Sequence, residues 1–381
     1  MLYKPEAFEA LTDEPWDEGR VRDGIRGIVA DYEQAYDPDT LWPAAEWDAF
    51  NADGPLTTLY AGASGIVWAL ARLGTELDTT AVARSAVEAW RENPDFDERD
   101  EPPVRTQASL FFGETGPLVV ACVLGADEFA DDLHTRVLEN VEAPANELMW
   151  ASVGTMRVAK AMLDRTGEER WADAWRASAD VLLERRDEDG LWDTLPFGRG
   201  LGAAHGGSTT ANILAQGADL LRDVDPVGPT AAGLAKHAVM EEGLANWPMV
   251  AGDDLVGYDD QVRLQWCHGG AGVVASAAGY LDEELLLAGA EAAWKAGPPN
   301  LDKGPGLCHG TAGTGYAFLM TFERTQDEQW LERARRFAVH ALGQVGRLEP
   351  RYSLMTGSVA AALFANDCLE PRPAFPIVDA L

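Results

Sequence analysis

Two Cys-His dipeptides in similar surroundings are the residues of this chain best suited to chemistry. Residues 266–272 read Trp-Cys-His-Gly-Gly-Ala-Gly, and residues 307–313 read Leu-Cys-His-Gly-Thr-Ala-Gly. Zinc prefers thiolate sulfur and imidazole nitrogen, and a catalytic zinc site keeps three protein ligands and an open position. Cys267, Cys308 and His309 would supply such a set. The glycine after each dipeptide tolerates the backbone conformations of a tight turn, so we expect the ligands to lie on turns.

The alternative is a pair of buried cysteines beside helix-capping histidines, because unpaired cysteine is among the most buried residue types. A single Cys-His pair would favour that interpretation. Two pairs in the same flanking frame favour a metal instead. The sequence therefore predicts one Zn²⁺ ion held by Cys267, Cys308 and His309.

The chain is strongly acidic, with 63 Asp and Glu against 30 Lys and Arg and a formal net charge of −33. A nucleic acid or an anionic lipid surface would be repelled, so we expect neither partner. Lysine occurs only at positions 4, 160, 236, 295 and 303. An acidic, lysine-poor surface is typical of a high-salt cytoplasm, and the chain looks haloarchaeal. The alternative is an acidic enzyme of an ordinary mesophilic organism.

The sequence offers no sign of export or membrane insertion. The N-terminus lacks a basic start followed by an apolar run, and no stretch approaches the roughly 18 apolar residues of a spanning helix. Four cysteines in 381 residues are too few for disulfides to stabilise the fold, so we expect no structural disulfides. These features predict a cytoplasmic protein without membrane insertion.

A turn of small residues followed by an apolar stretch recurs seven times along the chain. The first small residue of each turn falls at positions 62, 113, 151, 206, 269, 310 and 357. Each interval has room for two helices. The stretch after a turn carries few charges, with apolar residues at helical spacing, whereas 168–175 and 329–336 are charged with one apolar face.

Buried helices alternating with amphipathic helices predict an all-α protein, an α/α toroid (barrel) of seven inner and seven outer helices. The alternative is an open helical solenoid punctuated by glycine turns. We expect a single domain over residues 1–381. Residues 1–50 would hold an N-terminal segment and the first outer helix, and the seven repeats would run from about residue 51 to 370.

With Ala204-His205-Gly206, Trp266-Cys267-His268-Gly269 and Leu307-Cys308-His309-Gly310 in this order on glycine-punctuated repeats, the chain resembles the lanthionine synthetase C-like (LanC-like) family. The resemblance covers essentially the full length. It implies an α/α toroid with a central zinc that joins a cysteine thiol to dehydroalanine or dehydrobutyrine. The partner would be a peptide with dehydroamino acids, a small thiol such as glutathione, or both.

The resemblance also assigns roles to single residues. Cys267, Cys308 and His309 match the zinc ligands, and His205 matches an acid/base histidine. Arg263, four residues before Cys267, matches an active-site arginine. Glu147, four residues before the third turn, occupies the place of an active-site acid. His268 stands where peptide cyclases often carry tyrosine, which favours the broader LanC-like group, and we count it among the candidate catalytic residues.

Zinc would deprotonate the bound thiol, which is largely protonated in neutral water. Attack on the β-carbon builds an enolate that needs charge stabilisation, for which Arg263 is suited, and then a proton, which His205 could deliver. One rival is an α/α-barrel carbohydrate enzyme with two carboxylates or histidines in a Trp-lined cleft. Another is a non-catalytic zinc protein that binds thiols or peptides, with His268 as the fourth ligand of a closed site.

Salt should stabilise this protein. Repulsion among its 63 acidic residues acts over a Debye length of about 30 Å at 0.01 M salt but only about 3 Å at 1 M. We therefore expect the thermal unfolding midpoint to rise from dilute to multimolar KCl, measured by circular dichroism. A midpoint that does not change with salt would contradict the high-salt interpretation.

Overall fold

The structure is a computed structural model, and it describes residues 1–45, 48, 54–95, 107–194, 198–257 and 260–381. The described chain forms fourteen α-helices that alternate between an outer and an inner layer. The outer helices are α1 (Glu18–Ala35), α3 (Thr79–Glu92), α5 (Ala130–Glu139), α7 (Glu169–Arg185), α9 (Gly228–His237), α11 (Glu283–Ala296) and α13 (Glu328–Val345). The inner helices are α2 (Ala63–Leu73), α4 (Thr115–Val123), α6 (Ser152–Thr166), α8 (Gly207–Gln216), α10 (Gly270–Ala277), α12 (Thr311–Thr325) and α14 (Val359–Leu369).

The inner and outer helices differ in how much of their surface is buried, as the apolar pattern of the sequence predicts. Every residue of α10 is buried, whereas α1 buries one stripe, consisting of Val21, Ile25, Ile28, Val29 and Tyr32. Those five positions recur at the spacing of one helical face. Helix α14 packs against α2, so the last inner helix meets the first and the ring of helices closes. The predicted α/α toroid of seven inner and seven outer helices is thereby confirmed, and an open solenoid is excluded.

A short hairpin interrupts the alternation between α9 and α10. Strand β1 (Val239–Glu241) pairs antiparallel with β2 (Leu244–Asn246). The side chain of Asn246 accepts the backbone N–H of Gly270, at the start of α10, over 2.7 Å. Its amide donates to the backbone carbonyl of Leu2 over 2.7 Å. The hairpin therefore fastens both the N-terminal segment and the fifth turn to the toroid.

A ring of backbone hydrogen bonds with one missing link joins the repeats at the start of the inner helices. The participants lie two positions before the first small residue of each turn: Tyr60, Phe111, Met149, Ala204, Cys267, Cys308 and Met355. Five of the seven donate their backbone N–H to the carbonyl of the next member, over 2.9–3.4 Å, and Met355 donates back to Tyr60 over 3.2 Å. The N–H of Met149 donates to Glu147 instead of Ala204. We call these seven residues the backbone ring. It brings the seven turns together at one end of the toroid.

In the fifth turn, glycine occupies the positions where neighbouring repeats come into contact. A Cβ atom built on Gly272 would lie 1.8 Å from the Trp266 carbonyl oxygen and 3.2 Å from Cβ of Ala203, in the preceding repeat. Gly269 has a φ of +100°, a conformation that side chains with a Cβ rarely adopt. The turn that follows Cys267 therefore depends on glycine for both space and backbone conformation.

The C-terminal segment fills the inside of the toroid. Phe375 stacks on Trp266, with ring centroids 4.4 Å apart and planes 5° from parallel. The Asp379 carboxylate accepts hydrogen bonds from Asn212 and Gln216 of α8, over 3.0 and 3.1 Å. Arg157 of α6 donates to the Asp379 carbonyl over 3.4 Å. Because Asn212, Gln216 and Arg157 lie on inner helices, this segment packs against the inner layer of the toroid.

None of the helices in the described ranges combines the length and the apolar character needed to cross a membrane.

Replacing Gly272 by alanine should destabilise the protein, because the new methyl group would collide with the Trp266 carbonyl. Overpacking of this kind costs roughly 1–3 kcal/mol of unfolding free energy. Gly27→Ala on exposed α1 is the matched control, because a Cβ at Gly27 meets nothing within 4 Å. It should stabilise the helix by roughly 0.5–1 kcal/mol. Urea unfolding measures both; equal stability of the two variants would contradict the role assigned to the turn.

Candidate metal and active site

Cys267, Cys308 and His309 converge at the end of the toroid that carries the turns. Their candidate ligand atoms all lie within 4.8 Å of one another. The backbone N–H of Cys267 donates to the Cys308 carbonyl over 3.1 Å, so the two cysteines occupy equivalent places on neighbouring turns. Sγ of Cys267 lies 3.4 Å from Nδ1 of His309, which makes Nδ1 the nitrogen that faces the sulfurs. The three residues predicted from the sequence as a metal set are thus brought together.

This donor set fits zinc. Two sulfurs and one imidazole nitrogen are soft and borderline ligands, and their separations suit groups that each lie about 2.0–2.3 Å from a common ion. Both cysteines are 4% exposed, so the site is shielded from bulk water. His268, whose sequence position made it a candidate fourth ligand, is absent from this group of described residues. Three ligands are the number found in catalytic sites with an open position.

The two thiols do not titrate alike. Burial raises the pKa of the Cys308 thiol, and the negative charge of Cys267 raises it further. Burial also works against ionisation of Cys267, but the thiol of Cys308 and the charge of His309 outweigh it, and the pKa of Cys267 falls well below its usual range. The metal-free pair therefore keeps one proton that a bound cation would displace.

Two further side chains lie beside the sulfurs, and the sequence analysis did not identify either. The amide nitrogen of Gln265 donates to Sγ of Cys267 over 3.0 Å. Burial and the neighbouring Cys308 sulfur raise the pKa of the Tyr60 hydroxyl well above its usual range. Tyr60 could have been found, because it occupies the same place in the first repeat as Cys267 and Cys308 do in theirs. Nothing in the sequence marks Gln265.

Glu147 holds His205 in a fixed orientation. The buried Glu147 carboxylate lies 2.8 Å from Nδ1 of His205 and accepts the backbone N–H groups of Met149 and Trp150, over 2.9 and 2.6 Å. Met149 is the one member of the backbone ring whose N–H leaves the ring. The Glu147–His205 pair thus stands where a backbone hydrogen bond would otherwise join the third and fourth repeats. With Nδ1–H donated to the carboxylate, Nε2 is the nitrogen available for proton transfer.

An arc of aromatic rings lies beside the metal ligands. Tyr60 stacks on Phe112 at 4.9 Å, and Phe112 lies 6.3 Å from Trp150. Trp150 lies 4.7 Å from His205, and His205 stacks on His268 at 5.5 Å. The arc begins at Tyr60, on the first turn, and ends at His268, the residue that follows Cys267. It therefore joins the first turn to the fifth and includes His205, the partner of Glu147.

His268 is neutral at pH 7 and Arg263 lies close to it. Burial lowers the pKa of His268 to about 4, and the positive charge of Arg263 contributes to the lowering. Arg263 also lines a cavity of about 80 Å³ together with Gln265 and Lys303. The predicted residues Glu147, His205, His268 and Arg263 therefore all belong to the same end of the toroid as the metal ligands.

A larger cavity of about 610 Å³ lies elsewhere, between α1, the end of α13 and residues 348–358. None of the predicted site residues lines it. The candidate site is therefore identified by the side chains that converge there, and not by the size of a cavity.

Known proteins resemble this chain in sequence and in fold. The family model described as "Lanthionine synthetase C-like protein" matches residues 56–379. Glutathione S-transferase LANCL1 of Danio rerio is 28% identical over 300 residues, which span 69% of this chain and 72% of that protein. The solved structure of nisin cyclase superposes with a TM-score of 0.60 at 15% identity and covers 92% of this chain and 94% of its own.

At 15% identity the nisin cyclase likeness shows the fold alone. A polysaccharide lyase, BACCELL_00875, superposes with a TM-score of only 0.39, and nothing is inferred from it. The family model spans most of the chain, including the seven turns and all seven candidate site residues. This protein belongs to the lanthionine synthetase C-like family.

Proposed function

We propose that this protein catalyses the zinc-dependent conjugate addition of a thiol to a dehydroalanine or dehydrobutyrine residue of a peptide or protein. The observation that carries the proposal is the buried Cys267–Cys308–His309 cluster, beside a histidine that a buried carboxylate orients. A LanC-like chain with both elements has the parts for thioether formation. Either an internal cysteine or a small thiol could supply the sulfur.

Cys267, Cys308 and His309 would hold the zinc ion through two sulfurs and Nδ1. Zinc bound there supplies a Lewis acid that keeps the substrate thiol as a thiolate at neutral pH. Cys267 and Cys308 are each 4% exposed and His309 is partly buried, so little water surrounds the two sulfurs. Exclusion of water strengthens every electrostatic interaction within the site.

His205 would protonate the α-carbon after the carbon–sulfur bond has formed. Attack on the β-carbon moves the π electrons of the double bond towards the α-carbon and its carbonyl, which leaves an enolate. Glu147 accepts Nδ1–H of His205, which stabilises the imidazolium and directs Nε2 towards the substrate. The rings of Trp150 and His268 lie 4.7 and 5.5 Å from the His205 ring and limit its rotation.

Arg263 would stabilise the enolate oxygen. Its positive charge acts on His268, so it lies near the reacting groups, and a guanidinium keeps its charge at every physiological pH. His268 is neutral at pH 7, because its pKa is about 4. It would therefore serve as an uncharged member of the aromatic arc rather than as a proton donor.

The rival functions lack supporting contacts in the described residues. A closed structural zinc site would need a fourth ligand, but the group of described ligands contains three. A carbohydrate enzyme would use a pair of carboxyl groups across a cleft, whereas Glu147 is engaged by two backbone N–H groups and His205. Thiol addition gives a role to the three candidate ligands, to the Glu147–His205 pair and to Arg263.

We also propose the setting in which this chemistry takes place. A net charge of −33 suits a cytoplasm rich in salt, as in haloarchaea. The same charge disfavours a nucleic acid or an anionic membrane as a partner. The substrate would be a peptide with dehydroamino acids, paired with its own cysteine or with a small thiol.

Cys308→Ala should abolish stoichiometric zinc binding, because it removes one of three ligands. Cys122→Ala is the matched control, since Cys122 is also fully buried but lies on α4, outside the ligand group. Zinc per chain is measured by elemental mass spectrometry after dialysis against a weak chelator. We expect about one ion in the wild type and in Cys122→Ala, the stoichiometry of a single three-ligand site. Full zinc in Cys308→Ala would show that the ligand assignment is wrong.

His205→Asn should keep zinc but lose turnover by roughly 10²–10⁴-fold, the range typical of a general acid or base. Glu147→Gln should also keep zinc and lose less turnover, because His205 remains but is oriented less well. His134→Asn is the matched control, since His134 lies on outer helix α5 and contacts the Arg170 carbonyl.

The measurement is thioether formation on a dehydroalanine peptide with glutathione or an internal cysteine, followed by mass spectrometry and corrected for uncatalysed addition. Wild-type turnover by the His205→Asn variant would show that His205 is not the acid/base residue.

A further inference from the structure

Residues 375–379, which we call the inner loop, are closed by their own hydrogen bonds inside the toroid. The carboxylate of Asp379 accepts the backbone N–H of Phe375 over 2.9 Å, and the Phe375 carbonyl accepts the N–H of Asp379, also over 2.9 Å. Ile377 has a φ of +70°, which a β-branched residue adopts only when its surroundings impose it. The inner loop is therefore held in a defined conformation.

The inner loop is attached to the helices that follow the third and fourth turns. The Asp379 carboxylate accepts hydrogen bonds from Asn212 and Gln216 of α8, over 3.0 and 3.1 Å. The Asp379 carbonyl accepts from Arg157 of α6 over 3.4 Å. The chain segments that carry the Glu147–His205 pair lead into α6 and α8, so the loop is anchored to the repeats of that pair.

The ring of Phe375 contacts the two repeats that carry the metal ligands. It stacks on Trp266, with ring centroids 4.4 Å apart, and it meets Tyr316 edge to face at 5.2 Å. Trp266 immediately precedes Cys267, and Tyr316 lies on α12, the helix that begins two residues after His309. All three rings are at most 2% exposed. One buried ring therefore touches both the fifth and the sixth repeat.

The two rings that Phe375 contacts are themselves held in place. The Tyr316 hydroxyl donates to the buried carboxylate of Asp367, on α14, over 2.7 Å. Trp266 lies close to α12, where a Cβ atom built on Gly313 would be 3.1 Å from the Trp266 Cβ. A close-packed interior has little free space to absorb a displaced ring, so a change at Phe375 shifts its neighbours. The spacing of these repeats in turn sets the separation of the candidate ligands.

We propose that Phe375 and Asp379 are positioning residues of the metal centre: Asp379 anchors the inner loop on α6 and α8, and Phe375 sets the spacing of the two ligand-bearing repeats. They act through Trp266 and Tyr316 and not as ligands. Residues that orient metal ligands influence both the affinity of a site and its coordination geometry. The inference rests on the zinc site of the proposed function.

The test measures zinc affinity, by competition with a chromophoric chelator, and the absorption spectrum of the Co²⁺-substituted protein. The d–d and sulfur-to-metal charge-transfer bands of Co²⁺ report the coordination geometry without any substrate. Phe375→Leu keeps an apolar side chain but removes the flat ring. We expect its dissociation constant for zinc to rise by roughly two- to tenfold, the scale of one aromatic pair, and its Co²⁺ bands to shift. Asp379→Asn should act in the same direction, because the amide replaces one accepting oxygen by a donor.

Phe337→Leu is the matched control. Phe337 is fully buried and also contacts two rings, Phe318 of α12 at 4.8 Å and Trp294 at 5.9 Å, but it lies on outer helix α13. Urea unfolding should show a comparable loss of stability for Phe337→Leu and Phe375→Leu. Only Phe375→Leu should change the zinc affinity and the Co²⁺ spectrum. Equal changes at the metal in both variants would show that Phe375 has a purely structural role.

The outcomes also separate this inference from the proposed function. A wild-type protein that binds neither zinc nor Co²⁺ would remove the metal site and with it the proposed function. Phe375→Leu and Asp379→Asn proteins that bind both metals as the wild type does would overturn only the role of the inner loop. If Phe375→Leu alone does not fold, the zinc affinity and Co²⁺ spectrum of Asp379→Asn decide. Failure of both to fold would overturn the proposal, because the loop would then be required by the whole fold.

Discussion

The backbone ring is the constraint on which the active end of this protein depends. Six of its seven links are hydrogen bonds between equivalent residues of successive repeats, and Met355 closes it on Tyr60. Buried backbone groups must be paired, so each turn fixes the height and orientation of its neighbour. Cys267 and Cys308 are consecutive members of the ring, and their sulfurs meet for that reason. The candidate metal site therefore forms only when neighbouring turns are held together in the toroid, and neither turn could form it alone.

The one missing link of the ring is where the Glu147–His205 pair lies. Met149 gives its N–H to Glu147, and Glu147 in turn binds His205. A buried carboxylate is costly unless it is fully hydrogen-bonded, and three donors satisfy this one. The repeat architecture thus lacks one backbone link and has in its place a buried carboxylate that orients His205. The regular repeats bring the two sulfurs together, and the local departure from the repeat positions the histidine that is proposed to transfer the proton.

The fold was predictable because its signals are local and repeated. Small-residue turns and the alternation of apolar with amphipathic stretches recur seven times, and the inner helices begin at those turns. The metal set was predictable because Cys267, Cys308 and His309 share one frame. Gln265 was not predictable, since its contact with Cys267 exists only once the turn has closed through the His268 carbonyl. Nor was the stacking of Phe375 on Trp266, which joins residues far apart in sequence and depends on the tail entering the toroid.

The charge of the protein and the charge of its proposed reaction oppose each other. Thiol addition would build an anion, an enolate, inside a chain of net charge −33. Surface carboxylates lie in solvent, where salt screens them beyond about 8 Å at physiological ionic strength and about 3 Å at 1 M. The two cysteines and Glu147 are buried, and the proposed chemistry would depend on groups at short range, namely Arg263, His205 and a divalent ion. An acidic exterior and an anionic intermediate are thus compatible, but an anionic thiol approaching through dilute solution would be repelled by the same surface. Concentrated salt would screen that repulsion, so the surface charge that favours a high-salt setting would also allow a charged substrate to reach the site.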